Sequence, residues 1–534
     1  MKKIYTYIAV FTLIVCLPGS ILGQVTTQKS LYSIEKIEKV NPWLNSENGA
    51  GLIFNKTDNF STIGSYMFNE SGTLQNYIDP EKYNYLGIET KSYVKAKNVF
   101  YYGQMGYEYG VRQNQAWLGT VIPNSNFNTI NDSIPGKVLS ENYKLAAKVG
   151  YSINDHVALG LGFNYFTSTS AKRVDGRNEN TLSSLTISPG VLFNSKNLNA
   201  GFNLTYRKNS EKVDFSFIGD ETGKYLLYFD GGLWMHTVSG LTNTTIIDRM
   251  YMEQYLGGSV QAELKMGKFS FFNDLAVGYS FEDDHEGSNL TKRYAFVDGL
   301  KYNYKGVLSL KCKKMDQYVN VNYVNDQKYS YSVINNYEAI PNETNSWAYF
   351  EYGKVLRYTQ EVQQYGVEYQ NFIKRADFDY SWILSLGYKY FSIDKNYKVY
   401  PASYHQDYNK GEIYGSITKN FVLGEGDRLD LSVGMGKVTA DGTLMDASNP
   451  LTAGALIQNT RLLVTDFAFN ASDLAKWNFG GKYQNGVAQK VRSAYAAFKY
   501  SNVKAVSTPD LSYTFADFTD KTRNYLEISL GFNF

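Results

Sequence analysis

Four histidines, His156, His236, His285 and His405, are the only imidazoles in the chain, and they limit the acid–base chemistry available at neutral pH. None stands in a Gly-x-Ser-x-Gly or His-Glu-x-x-His context, the spacings that bring a nucleophile or a metal to such a group. A triad can be assembled from distant loops, yet no set of residues marks one, and the chain does not read as an enzyme. Asp283-Asp284-His285-Glu286 is the densest group of potential cation ligands. Acidic runs in polar stretches are more often solvated than metal-bound. Cys16 and Cys312 are the only cysteines, so no thiolate cluster and no cofactor is expected. Lys172, Arg173 and Arg177 form a basic group that suits lipopolysaccharide phosphates or plain solvent.

A second set of charges is more orderly. Lys144, Lys148, Glu263, Lys265, Lys301, Lys305, Glu368, Asp379, Lys389, Glu412, Asp430, Arg492 and Glu527 each alternate with apolar neighbours. In extended chain, alternation sends them all to one face and the apolar residues to the other. That face carries both signs, so it lines a hydrated lumen or is filled by internal ion pairs. An aromatic stretch, Tyr225 to Met235, includes Tyr225, Tyr228, Phe229 and Trp234. It either folds over the barrel mouth, contacts a partner or apolar ligand, or rises as a strand above the membrane.

The elements that position these residues are strands. In the last twelve residues, Leu526, Ile528, Leu530, Phe532 and Phe534 point one way, and Tyr525, Glu527, Ser529, Gly531 and Asn533 the other. This is the signature of a transmembrane β-strand. The pattern repeats through the chain. Tyr143 to Tyr151 and Val157 to Tyr165 form a hairpin about Asn154-Asp155, residues that tolerate a tight turn. Others turn near Lys95–Asn98, Ser195-Lys196, Gly267-Lys268, Lys314-Met315, Arg375-Ala376, Gly424–Gly426 and Ser472-Asp473. Lipid-side sets include Leu198, Phe202, Leu204 and Tyr206; Leu275, Val277, Tyr279 and Phe281; and Tyr380, Trp382, Leu384, Leu386 and Tyr388. Longer polar connections run over 111–140, 208–253, 282–298, 331–346, 392–408 and 438–456. Short turns at one end and long loops at the other describe an antiparallel outer-membrane β-barrel of about eighteen strands, within a range of about fourteen to twenty. Residues 491–518 hold either a further hairpin or one strand and a loop.

Composition agrees. The 534 residues include 47 Tyr and 45 Gly, and 16% are aromatic, which suits girdles at two membrane interfaces. Mean hydropathy is −0.36, and after the first two dozen residues no apolar run is long enough for a transmembrane helix. No long helical periodicity stands out. A net charge of +2 gives no footprint for nucleic acid. Lys2-Lys3 followed by Ile4 to Pro18 reads as a secretory signal ending at Gly23. Residues 24–50 then form a periplasmic arm or a small plug, and the barrel is expected over 51–534.

The leader, the segment Asn45 to Leu52, the Tyr-rich hairpins and the terminal Phe together resemble an uncharacterised family of Bacteroidota-type outer-membrane β-barrels. Asn48-Gly49-Ala50-Gly51-Leu52 also resembles, distantly, the opening segment of long-chain fatty-acid channels, with Gly49 where that family has Pro. The resemblance implies outer-membrane localisation, a surround of membrane lipid and lipopolysaccharide, and a barrel-assembly machinery that reads Phe532 and Phe534. Two functions are open: a channel or transporter for small solutes, and a non-conducting accessory barrel working with partner proteins of an uptake system.

Overall fold

The computed structural model describes residues 38–534 apart from 56–58, 175, 217–224, 234–235, 241–246, 288–289, 345, 377–378, 400–401, 425, 445–452, 487–492 and 512–513. Among the described residues, eighteen strands form one sheet. They are β1 (Phe60–Gly72), β2 (Lys82–Ala96), β3 (Val99–Gln115), β4 (Gly136–Ser152), β5 (Val157–Lys172), β6 (Arg177–Asn194), β7 (Leu198–Ser216), β8 (Ile247–Met266), β9 (Phe269–Glu286), β10 (Lys292–Lys311), β11 (Met315–Ala339), β12 (Trp347–Ala376), β13 (Asp379–Val399), β14 (Ala402–Gly424), β15 (Asp427–Thr443), β16 (Asp473–Asn485), β17 (Ser493–Ser507) and β18 (Thr522–Asn533). Each pairs antiparallel with the next, and β18 closes on β1 with Asn533 opposite Thr62 and Ser529 opposite Tyr66. Closure leaves no sheet edge, which is the condition for a sheet to cross a bilayer.

The faces sort as alternation demands. Leu256, Val260, Leu386, Ile413 and Met435 are exposed on the outside, while Gln261, Phe272 and Tyr318 are buried inside. An apolar outer face on a closed antiparallel barrel is the outer-membrane architecture. With eighteen strands, the start of β1 and the end of β18 come to the end that carries the short turns.

The loop end departs from expectation. Much of 331–346 and 392–408 is paired strand: β11 has 25 residues and β12 has 30, against about 9–11 needed to span a bilayer. Beyond the membrane both faces of a strand can be polar, so the alternation fades although the hydrogen-bond ladder continues. The segment before Ser472 is not a strand but a helix, α1 (Ala453–Asn470). Ser472-Asp473 therefore joins α1 to β16 at the loop end. Residues 493–521 hold one strand and a loop with a 3-10 turn at Thr514–Ala516.

One lipid-side assignment is reversed. Tyr380 is 2% exposed and packs inside against Phe372, ring centroids 5.0 Å apart. The register slips here, with Ile373 opposite Trp382 but Lys374 opposite Tyr380. The extra residue, Ser381, is a β-bulge that turns Tyr380 to the other face. The wall begins at Phe60, and Gly49–Phe54 is a 3-10 turn lying inside the lumen.

A substitution pair tests the register. Leu530→Lys places a charge in lipid at about 2–4 kcal/mol and should abolish the heat-modifiable folded band on SDS gels. Ser529→Lys faces the lumen and should retain it. Equal loss from both would show the register to be off by one.

Candidate functional site

The lumen is entered from both ends by segments of the same chain. At the turn end lies the stretch 38–55, with two 3-10 turns, Pro42–Asn45 and Gly49–Phe54. Each is started by an Asn whose side chain caps a nearby N–H, Asn41 to Trp43 and Asn48 to Ala50. Val40 and Trp43 pack in one cluster with Phe272, Val307, Tyr318 and Phe372. Leu44 and Leu52 pack in another with Phe60, Tyr93 and Phe100. The segment thus reaches walls on opposite sides of the barrel.

Asn48 is its deepest polar anchor. It is 1% exposed, and its amide donates to the Val191 carbonyl at 3.0 Å and to Gln261 Oε1 at 3.1 Å. The wall makes room by omitting side chains. A Cβ at Gly160 would overlap the Ala50 backbone nitrogen, one at Gly190 would overlap the Asn48 amide, and one at Gly150 would come 2.9 Å from the Gly49 carbonyl oxygen. Gly49 in turn lies against the Leu161 backbone, 2.8 Å from where its own Cβ would stand. This is backbone-on-backbone contact, which only glycine permits.

Three of the lumen charges expected from alternation hold this segment. Lys148 Nζ donates to the Ser46 carbonyl at 2.6 Å. Glu263 accepts from Trp43 Nε1 at 2.7 Å. Lys265 lies over the Phe54 ring, 5.3 Å from its centroid. Four of the others pair with charges outside that set: Lys144 with Glu108 at 2.8 Å, Lys301 with Asp326 at 3.2 Å, Glu412 with Lys476 at 2.9 Å and Glu527 with Lys499 at 3.7 Å. Lys305 stands opposite Asp274, and Lys389 lies over the Tyr414 ring. Glu368 sits in the ladder between Asn320 and Gly387. Asp430 accepts from Asn420, and Asp379 lies 3.8 Å from Arg375 and Arg428 at the turn end. Arg492 lies outside the described residues. Phe532 and Phe534 are exposed on the outer surface.

At the loop end a lid folds inward. Tyr225–Phe229 forms a small sheet with His236–Gly240 and with Ile130–Asn131. Leu226, Leu227 and Phe229 are buried beneath it; Tyr228 packs with Leu226 on one core, while Leu227 and Phe229 belong to another. The aromatic stretch therefore turns into the barrel. Trp234 lies outside the described residues. Wall side chains grip the lid's backbone. Arg249, fully buried, donates to the Asn128 carbonyl at 2.6 Å. Glu211 accepts from Val121 N at 2.6 Å. Lys172 is ion-paired with Asp132 and 4% exposed, so it is a lid anchor and not a surface charge for lipopolysaccharide. Asp283 to Glu286 is strand, so its members alternate between faces. Asp284 takes the Asn128 amide, and Glu286 pairs with Arg249, while Asp283 pairs with Arg293. His405 contacts Asp394 at 2.6 Å, His285 meets the Leu290 carbonyl and His156 the Asn194 carbonyl, each on a different hairpin.

Helix α1 completes the lid. Its Leu462 and Leu463 join Phe127, Phe229, Tyr358 and Tyr397 on one side, and its Val464 and Ala468 join Leu74 and Phe518 on the other. Asp466 ties it to the wall through Lys395 at 2.9 Å and to the first loop through the Asn76 amide at 3.0 Å. Burial would raise the Asp466 pKa, but the Lys395 charge and these hydrogen bonds outweigh it and hold it below the ordinary carboxylate range.

Between lid and wall lies a cavity of about 250 Å³, walled by Tyr77, Trp117, Phe127, Tyr358, Tyr397 and Tyr408 with amides among them. Trp117 is held at φ +59 by its N–H to the Asp132 carbonyl, 2.9 Å, a left-handed conformation that non-glycine residues adopt at a cost. A smaller chamber of about 110 Å³ lies against it, lined by Glu211, Glu253 and Glu282. Asn126 lines both. Sequence alone points to neither Asn126 nor Asp466, and it marks Asn48 only as part of the Asn48–Leu52 segment, not as an anchor. The one available signal is the run of glycines, Gly150, Gly160 and Gly190, at positions where alternation calls for lumen side chains.

Residues 49–534 match a family of unknown function, DUF6850. No protein with a curated description matches the chain. Solved structures resemble it at low identity, three of them as follows. The outer-membrane transporter YddB of Escherichia coli is 8% identical, covering 90% of this chain and 81% of its own, TM-score 0.39. BauA, the ferric preacinetobactin receptor of Acinetobacter baumannii, is 9% identical, covering 90% and 80%, TM-score 0.39. A RagAB peptide importer structure is 7% identical, covering 89% and 87%, TM-score 0.40.

The glycine cradle yields a test. Gly160→Val should drive Asn48–Ala50 out of the wall while the barrel stays heat-modifiable, exposing a Ser46→Cys thiol to maleimide. Gly106→Ala, whose Cβ would meet nothing closer than 3.7 Å, should leave that thiol protected. Protection in both variants would show that the segment is not held there.

Proposed function

The chain belongs to the DUF6850 family, and we propose that its barrel is a gated outer-membrane transporter for small solutes, closed at rest by its own segments. The observation that carries this reading is the pair of insertions. Residues 38–55 cross the turn end on Asn48, Trp43 and the carbonyls that Lys148 holds. The lid closes the loop end on Arg249 and Asp466. An eighteen-stranded wall encloses more space than its own side chains fill, so a passage needs closing elements, and these two lie in series. The aromatic lid stretch is here a constriction, and the fixed interior charges keep the passage polar. Membrane lipid surrounds the belt.

The second reading, a non-conducting accessory barrel that works with partners of an uptake system, draws on the ion pairs between lumen charges. Such pairs rigidify an interior without conduction.

Planar-bilayer recording separates the two. With barriers in series, the intact protein, a variant lacking 38–55 and a variant lacking both lid pieces, Tyr225–Leu233 and helix α1, should each stay largely silent. The doubly opened variant should conduct steadily. Steady conductance of the intact protein would overturn closure at rest. A silent double variant that still forms a heat-modifiable barrel would decide for the accessory role.

A further inference from the structure

We propose that the cavity under the lid is a binding site for a neutral saccharide of one or two rings. The inference rests on the loop end being the face where solute enters, and concerns what the site recognises. Its walls combine two chemistries. Phe127, Tyr358 and Tyr397 form a packed aromatic corner of its wall, tilted against one another with ring centroids 4.9 Å apart from Phe127 to Tyr358 and again from Tyr358 to Tyr397. Between such faces stand amides with unused capacity. Asn126 makes no hydrogen bond among the described residues, and Gln360 accepts from the Tyr358 hydroxyl at 2.9 Å while its own NH₂ stays free.

The charges narrow the class. Among the described residues, the charged ones lining the cavity are Lys395 and Asp466, which neutralise each other at 2.9 Å. Asp466 is further occupied by the Asn76 and Asn470 amides. An anionic or cationic ligand would shed its hydration and find no free counter-charge, at a cost of several kcal/mol or more. A purely apolar ligand would dry the Asn126 and Gln360 amides without replacing their water, again unfavourably. A sugar ring meets both demands, because its C–H face covers aromatic carbon while its hydroxyls donate to and accept from amides. The volume, near 250 Å³, equals about eight waters at roughly 30 Å³ each, room for one or two rings.

The experiment is titration calorimetry of the full-length protein in detergent against neutral mono- and disaccharides, a uronic acid, a tripeptide and a fatty acid. At least one neutral saccharide should bind. Asn126→Ala and Gln360→Leu should each weaken it by about tenfold, the loss of roughly one hydrogen bond to a buried ligand, with the heat-modifiable band unchanged. Binding of only the acid, the peptide or the fatty acid, no binding of any neutral saccharide, or saccharide affinity untouched by both substitutions would overturn the assignment. Saccharide binding without solute passage in the opened barrel would retain this inference and remove the transport reading, so the two fail separately.

Discussion

Everything in this molecule follows from one constraint: in lipid, no backbone N–H or C=O can be left without a partner. The eighteen strands meet it by closing on themselves, β18 against β1, and that closure fixes the width of the barrel. The width creates the second problem. Side chains on the inner face cannot meet across so wide a lumen, so the interior must hold water or more polypeptide. This chain supplies polypeptide from both ends.

The two fillings are built differently. At the turn end the inserted segment comes so close that wall and segment meet backbone to backbone, through Gly49, Gly150 and Gly160. That contact gives shape specificity, and Asn48 satisfies its polar groups with wall carbonyls. At the loop end the lid is an ordinary hydrophobic core of Phe127, Leu227, Phe229 and Leu463. Its backbone is gripped by buried charges, Arg249 above all. A buried ion pair such as Lys395–Asp466 is weak evidence for stability, but breaking one member leaves a stranded charge. A grip of this kind gives a lid one defined seat, and the space it leaves against the wall is the cavity.

The wall was legible in the sequence, because lipid enforces a strict period of two wherever a strand crosses the membrane. The terminal strand, the Asn154-Asp155 hairpin, the count near eighteen and the inward Lys144, Lys148 and Glu263 all follow from that rule. Where lipid stops acting, the rule stops too. The tops of β11 to β14 read as loops because no lipid keeps their outer face apolar, while the inner face meets the lid, as at Tyr397. Helix α1 was invisible because it is buried on more than one side, Leu463 against one cluster and Val464 against another, so it lacks the apolar stripe that marks a surface helix. Tyr380 was misplaced by a one-residue bulge, a local event that alternation does not register.

By itself the sequence determined that this is a closed, membrane-spanning sheet with a charged interior, since each of those facts is written in neighbouring residues. Only the tertiary structure decided what occupies that interior. Asn48 meets Gln261, Asn128 meets Asp284, and Asp466 meets Lys395 across 213, 156 and 71 residues. Contacts at such separation leave no periodicity behind; they exist only once the wall has brought distant hairpins around one lumen.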